Sequence, residues 1–307
     1  MIHSNNCKSE IIVTLDEILE LTYKRSNEIE KYLTYIEYSK NPSQSDKELS
    51  ELYGINPGTI KSWRPHIKAS KPRSVDFINW ATDNHFLEEI AYDSSKLNYS
   101  ITPSTPRYPL LEKLTYLAWT TGELTHRWQL NISGPEDGLT ELCEHINSQL
   151  NTESEPDKRT KHHKCEDFSR TYTTCIAALG THLGRLVAPL LGYKGRKADN
   201  MQDIPAIANR TKSSKRLFLQ TLNETRGFIT APKGRNKYYA ISLPSLRKKN
   251  VAEQLINNVL ALIKDVTGLE LYHTISAYST YTKGYQPTIS TPVGEIDNYF
   301  EACMLKL

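Results

Sequence analysis

Between Ser213 and Met304 the periodicity of the apolar residues changes four times, and this succession constrains the fold more than any other feature. Residues 213–226 read as a helix that stops at Gly227. Phe228–Pro232 and Lys237–Leu243 then alternate as two strands around the turn Lys233-Gly234-Arg235-Asn236. Lys249–Thr267 returns to helical spacing, with Val251, Leu255, Ile256, Val259, Leu260 and Ile263 on one side. Leu271–Ser279 and Tyr285–Thr291 predict two more strands, and Val293–Met304 a last helix. The order α-β-β-α-β-β-α predicts an α+β architecture.

A weaker copy of this order begins at Tyr116-Leu-Ala-Trp-Thr-Thr-Gly-Glu-Leu-Thr125. It continues through a strand at Arg127–Ser133, a helix at Gly138–Leu150, a strand at Phe168–Ala178 and a helix at Thr181–Leu191. Only Thr125–Asp137 separates its first two helices, little room for two strands at about 3.3 Å per residue. The second copy is therefore the expected reading surface. His162, His163 and Cys165 lie among Lys158, Arg159, Lys161 and Lys164 and read as a solvated basic loop, because no second ligand pair stands at zinc spacing. Gly180-Thr-His-Leu-Gly184 lacks the Gly-Lys-Ser/Thr ending of a phosphate loop.

The N-terminal third reads as helical. Thr14–Tyr38 has apolar residues at helical spacing. In residues 45–63, Ser45 and Glu48 form a capping box, Gly54 ends one helix, and Asn56 with Pro57 opens the next. Leu49 with Leu52 or Tyr53, Ile55, Ile60 and Trp63 are the inward positions, which leaves Gly58, Thr59, Lys61, Ser62 and Arg64 outward; Pro65 should end the second helix early. Residues 74–90 predict one further helix, and the Ser/Thr/Pro-rich residues 100–109 read as a linker. The expected divisions are 1–73, 74–108, 109–195 and 196–307.

The net charge of +3 conceals segregation. Residues 1–51 sum to −4, residues 55–75 to +5 with no acid, and residues 194–237 to +8. Two basic islands in a near-neutral chain are what two footprints on one polyanion require. No apolar run approaches the roughly 20 residues of a membrane span, and Met1–Ile12 has no signal-peptide core. Five cysteines without C-x-x-C spacing predict free thiols in a reducing compartment.

Residues 45–63 resemble the helix-turn-helix of DNA-binding proteins. The resemblance implies that Gly58, Thr59, Lys61, Ser62 and Arg64 enter the major groove, with Lys68, Lys71 and Arg73 near phosphates. Residues 109–307, through Tyr116–Thr125 and the phrase Phe218-Leu-Gln-Thr-Leu-Asn-Glu-Thr-Arg-Gly227, resemble the LAGLIDADG homing endonucleases. That resemblance implies a pseudo-two-fold domain whose two motif helices meet through small residues, here Ala118 and Thr221, with Trp119 a departure. It also implies strands lying in the DNA major groove and an acid at the foot of each motif helix to hold divalent metal. The matching positions are Glu123, a possible vestigial acid, and Arg226, which cannot ligate a metal.

Arg127, Arg226, Lys233, Arg235, Lys237 and Tyr239 are the further candidate DNA contacts, and no confident catalytic residue is assigned. The combination resembles the WhiA-type regulators with the order of the two parts reversed. The expectation is a monomeric, cytoplasmic, nucleoid-associated protein that binds double-stranded DNA at an asymmetric site, without cofactor or membrane, in control of transcription or replication. The rivals are a Mg²⁺-dependent homing endonuclease with one surviving acid, and a protein-interaction module.

Overall fold

Residues 45–63 take their shape from four local signals. Ser45 accepts a hydrogen bond from the Glu48 amide (3.2 Å), and the Glu48 carboxylate accepts one from the Ser45 amide (3.0 Å), which closes the capping box of a helix over Asp46–Tyr53. Gly54 ends that helix at φ 68, in the left-handed region that glycine enters without cost. The Asn56 side chain accepts from the Gly58 amide (2.8 Å) and opens a short helix, Pro57–Lys61. Tyr38, Leu49, Ile55, Ile60 and Trp63 close over this turn, with Tyr35 and Tyr53 packed against them.

The computed structural model describes residues 11–23, 28–63, 72–89, 99–150, 154–165, 168–192, 201, 203–230, 238–278, 284–291 and 294–303. The chain divides into two compact units, Met1–Pro109 and Leu110–Leu307. In the first, α1 (Leu15–Tyr23), α2 (Glu28–Lys40), α3 (Asp46–Tyr53), α4 (Pro57–Lys61) and α5 (Arg73–Asp83) accompany β1 (Val13–Thr14), β2 (Glu88–Glu89) and β3 (Tyr99–Ile101). The strands form an antiparallel sheet in the order β1-β3-β2.

The all-α expectation for the N-terminal region is thus corrected. Strands of two and three residues are too short to leave an alternation in the sequence. The linker expected over 100–109 is corrected with it. Ile101 is fully buried, and the Thr102 amide donates to the Thr105 hydroxyl (3.0 Å).

The second unit contains one arrangement twice. Its first half runs α6 (Tyr108–Thr120, entering from the preceding unit), β4 (Glu123–Leu124), β5 (Leu130–Gly134), α7 (Glu136–Leu150), β6 (Pro156–Cys165), β7 (Phe168–Ala178) and α8 (Thr181–Leu191). After a 3-10 turn at Ala206–Asn209, its second half runs α9 (Lys212–Arg226), β8 (Gly227–Thr230), β9 (Tyr238–Ser242), α10 (Lys249–Thr267), β10 (Tyr272–Ile275), β11 (Pro287–Ser290) and α11 (Ile296–Cys303). Each half is α-β-β-α-β-β-α. Each sheet is antiparallel, and in each the first strand pairs with the second, the second with the fourth and the fourth with the third: β4-β5-β7-β6 and β8-β9-β11-β10.

The α+β class holds, and the first half has all four strands. The β4–β5 hairpin fits into its dozen residues because β4 is only two residues long. The basic segment read as a loop is instead β6, a ten-residue strand. Its Lys, Arg and His residues carry no apolar alternation, which is why its sequence does not read as a strand.

Each core lies between its sheet and its helices. Tyr239, Ile241 and Ile289 are buried in the second half with Leu255, Ile256, Val259 and Ile263 of α10. Asn223 of α9 joins three elements: its Oδ1 accepts from the hydroxyls of Tyr239 (2.8 Å) and Tyr299 (3.0 Å), and its Nδ2 donates to the Leu219 carbonyl (2.7 Å). A Cβ on Gly227 would stand 1.6 Å from the Tyr239 hydroxyl and 2.6 Å from the Asn223 carbonyl.

Gly227→Ala is expected to lower unfolding stability by about 3 kcal/mol, the upper end of the cost of overpacking a core, and urea denaturation measures it. Ser45→Ala, which loses one cap, is expected to cost about 1 kcal/mol in the same assay. Burial pushes the Cys303 thiol up from 9.0 to about 11 and raises the phenols of Tyr239 and Tyr299 above their ordinary value. These groups bind protons more tightly folded than unfolded, so stability is lost as pH rises through their folded-state pKa values. The urea midpoint is expected to fall between pH 9 and pH 11, together with the onset of tyrosinate absorbance.

Candidate functional site

The register of the two sheets fixes which residues correspond. Glu123, Asn131 and Ala178 form one cross-strand row in the first half, as Phe228, Ala240 and Ser290 do in the second. The residue before each row is a glycine at the junction of helix and first strand. A Cβ on Gly122 would stand 2.7 Å from Ala118 Cα and 2.6 Å from the Ile132 side chain. A Cβ on Gly227 meets the backbone four residues back and a side chain of the second strand in the same way. Gly122 and Gly227 are therefore equivalent, and the residues at the feet of the two helices are Thr121 and Arg226.

This corrects the placement of Glu123. It is the first residue of β4, is exposed, and corresponds to Phe228. Neither helix foot carries an acid. Glu224 is exposed on the last turn of α9, two residues from the foot.

The helix feet instead meet each other. Arg226 Nε donates to the Thr120 carbonyl (3.0 Å), and the guanidinium Nη2 donates to the same oxygen. A cation thus caps the negative end of α6 through the Thr120 carbonyl. Burial lowers the pKa of this guanidinium from its ordinary value. Above it, the Phe218 ring lies edge-on to Tyr116 (5.4 Å) and Trp119 (5.1 Å). The Trp119 indole donates to the Asp203 carbonyl (3.0 Å). Ala118 and Thr221 are both buried, and the rings of Tyr116, Trp119 and Phe218 meet between the two helices. A divalent cation needs oxygen donors carrying negative charge. Thr121 and Arg226 do not supply them, and among the described residues no three His, Cys, Asp or Glu side chains gather into a group that could hold a metal ion.

The sheets offer a different kind of surface. In the second, Tyr239, Ile241 and Ile289 share one parity and are buried, while Ile229 and His273 of the outer strands share it and are exposed. The opposite parity holds Phe228 and Thr230 of β8, Tyr238 and Ser242 of β9, Thr288 and Ser290 of β11, and Tyr272 and Thr274 of β10. All eight are half-buried or exposed, Tyr272 at 67% and Phe228 at 46%, whereas Ala240 shares their parity and is buried. The face is uncharged and rich in hydroxyls. In the first half the corresponding positions include the exposed acids Glu123 and Asp157, which oppose a polyanion. Arg127 is exposed in the turn between β4 and β5, beside Trp128 at φ 65.

Of the other candidates, Tyr239 is corrected to a core residue. It is 5% exposed, its hydroxyl is spent on Asn223, and its ring lies 4.8 Å from Phe300. Gly58 and Lys61 are exposed on α4, Thr59 and Ser62 half-buried, with the Ser62 hydroxyl donating to the Thr59 carbonyl (2.6 Å). Arg73 opens α5. Arg64, Lys68, Lys71, Lys233, Arg235 and Lys237 lie outside the described residues. Sequence reasoning missed Thr121 because it sought the nearest acid. The glycine that must tolerate close approach was the better marker. The open face of β8–β11 was legible in principle, from the period-2 parity of its Tyr, Thr and Ser residues.

No protein-family model and no curated protein matches the chain. Among solved structures, it is similar to the homing endonuclease I-WcaI bound to its DNA recognition sequence, at 10% identity and a TM-score of 0.38, over 66% of this chain and 88% of that one. So distant a likeness assigns nothing to individual residues.

Arg226→Met is expected to cost about 1–3 kcal/mol in urea denaturation, because it strands a carbonyl that the guanidinium satisfies. Arg127→Met, at an exposed turn, is expected to change stability by less than about 0.5 kcal/mol.

Proposed function

We propose that this chain binds double-stranded DNA in a sequence-specific manner and does not cut it. The observation that carries the reading is the duplicated α-β-β-α-β-β-α frame with Thr121 and Arg226 at the two helix feet. The frame agrees with the resemblance to LAGLIDADG homing endonucleases, in which these feet hold the metal-binding acids. Replacing both acids removes the charge that would collect cations against a phosphodiester. The hydroxyl-rich open face of the second sheet supports recognition, because Ser, Thr and Tyr can donate to and accept from base edges.

The N-terminal unit would supply a second contact through Gly58, Thr59, Lys61 and Ser62 on α4, in the manner of a helix-turn-helix, flanked by the acid-free stretch 55–75. Two DNA-binding units on one chain raise each other's effective concentration, so a monomer would suffice on a long asymmetric site. The role proposed is regulation of transcription or replication on nucleoid DNA, analogous to the WhiA-type regulators.

The deciding experiment recovers genomic fragments bound by the purified protein and then incubates the protein with the recovered site and Mg²⁺. Binding with the DNA left intact is expected. Strand scission abolished by Glu123→Gln would establish a nuclease in place of a regulator, and no bound DNA at moderate salt would establish a protein-interaction module. Lys61→Ala is expected to weaken binding to the recovered site by about 1–3 kcal/mol if it reaches a base, as read by titration at fixed salt.

A further inference from the structure

Helices α6 and α9 meet differently on their two sides. Because Gly122 and Gly227 are equivalent, Phe218 corresponds to Lys113, Tyr116 to Thr221 and Trp119 to Glu224. On one side Phe218 fills the seam, its ring edge-on to Tyr116 (5.4 Å) and Trp119 (5.1 Å). On the other, the same three positions hold Lys113, Thr221 and Glu224, and a cavity of about 480 Å³ opens between α6, α7 and the end of α9. The aromatic plug of one side thus has no counterpart on the other.

The cavity is apolar along its length and charged at its rim. Leu117 and Leu142, half-buried, and Ile132 and Leu139, buried, line it. Lys113 borders it from α6 and Glu224 from α9, both exposed. The equivalence sets Glu224 level with Trp119, six residues along the helix from Lys113, or about 9 Å at 1.5 Å per residue. Neither has an ion-pair partner among the described residues. Glu141, exposed on α7, adds a second carboxylate to the rim, while His145, one turn on, has its Nε2 2.8 Å from the Gln149 Nε2.

A space of this volume, with apolar walls and a few polar groups at its edge, has the form of a small-molecule site. An apolar ligand would leave Lys113 and Glu224 unanswered, and a purely anionic one would be repelled by the two carboxylates. A molecule with an apolar body, an anion at one end and a cation at the other, about 9 Å apart, answers both ends. An extended apolar tripeptide, at about 3.4 Å per residue, has these dimensions and carries one charge at each terminus.

We infer that this cleft binds a short apolar peptide as its zwitterion, with the carboxylate at Lys113 and the ammonium at Glu224. The inference goes beyond the DNA-binding reading and does not depend on it, since the site, its ligand and its test involve no nucleic acid.

The test titrates the full chain by calorimetry with the tripeptide Ala-Leu-Leu, its N-acetyl form and its C-terminal amide. The free tripeptide is expected to bind saturably, and each blocked form to bind about tenfold more weakly, as the loss of one charge-assisted contact requires. Glu224→Gln is expected to abolish the penalty of acetylation and leave that of amidation. Lys113→Gln is expected to do the reverse. Both positions are exposed, so both variants are expected to keep the helical content and urea midpoint of the natural protein. No saturable binding of Ala-Leu-Leu up to about 10 mM would overturn the site. Equal binding of free and blocked peptides would overturn recognition of the zwitterion, and penalties that neither variant changes would overturn its placement in this cleft.

Discussion

One side-chain oxygen organises the second half of the C-terminal unit. Asn223 Oδ1 receives the hydroxyls of Tyr239 from the central strand and Tyr299 from the last helix, and its own amide is held by the preceding helical turn. The Tyr239 hydroxyl occupies the space that a side chain at position 227 would need, so helix must pass to strand at a glycine. That fixes where α9 ends, hence which residue stands at its foot, hence that Arg226 is the group presented to the Thr120 carbonyl. Burial makes the arrangement stringent: a polar group left unmade here has no water to turn to.

What the sequence disclosed depended on how local the cause was. Ser45, Glu48, Gly54 and Asn56 act within a few residues of themselves, and the structure forms each expected cap. The order of the second half was legible because its strands alternate and its helices carry apolar stripes. β6 was not, since its run of Lys, Arg and His carries no apolar alternation to mark it as a strand. The acid assigned to the first helix foot failed for another reason. An exposed glutamate three residues past the helix carries the expected chemistry, but the position is set by Gly122, whose requirement is steric and shows only in three dimensions. The tyrosines of α2 are also explained: Tyr38 lies in the core under Trp63, Tyr35 meets the Trp63 ring edge-on at 6.0 Å, and Tyr32 is buried.

The charge pattern gains meaning from these placements. A guanidinium at a helix foot neutralises a helix end that would otherwise present bare carbonyls, a task that an acid there could not perform. The open face of the second sheet is neutral and hydrogen-bonding, while the densest cationic stretch of known strand geometry lies on β6 of the other half.

The strand order has a consequence for how the chain reaches this state. In both sheets every strand neighbours either its hairpin partner or the strand reached across one helix and one hairpin, and no strand of one sheet pairs with a strand of the other. Each half can therefore assemble from nearby contacts, at modest loop-closure cost. The halves are joined by contacts of long sequence separation, Arg226 with Thr120, Phe218 with Trp119 and Trp119 with Asp203, whose loop-closure cost is larger.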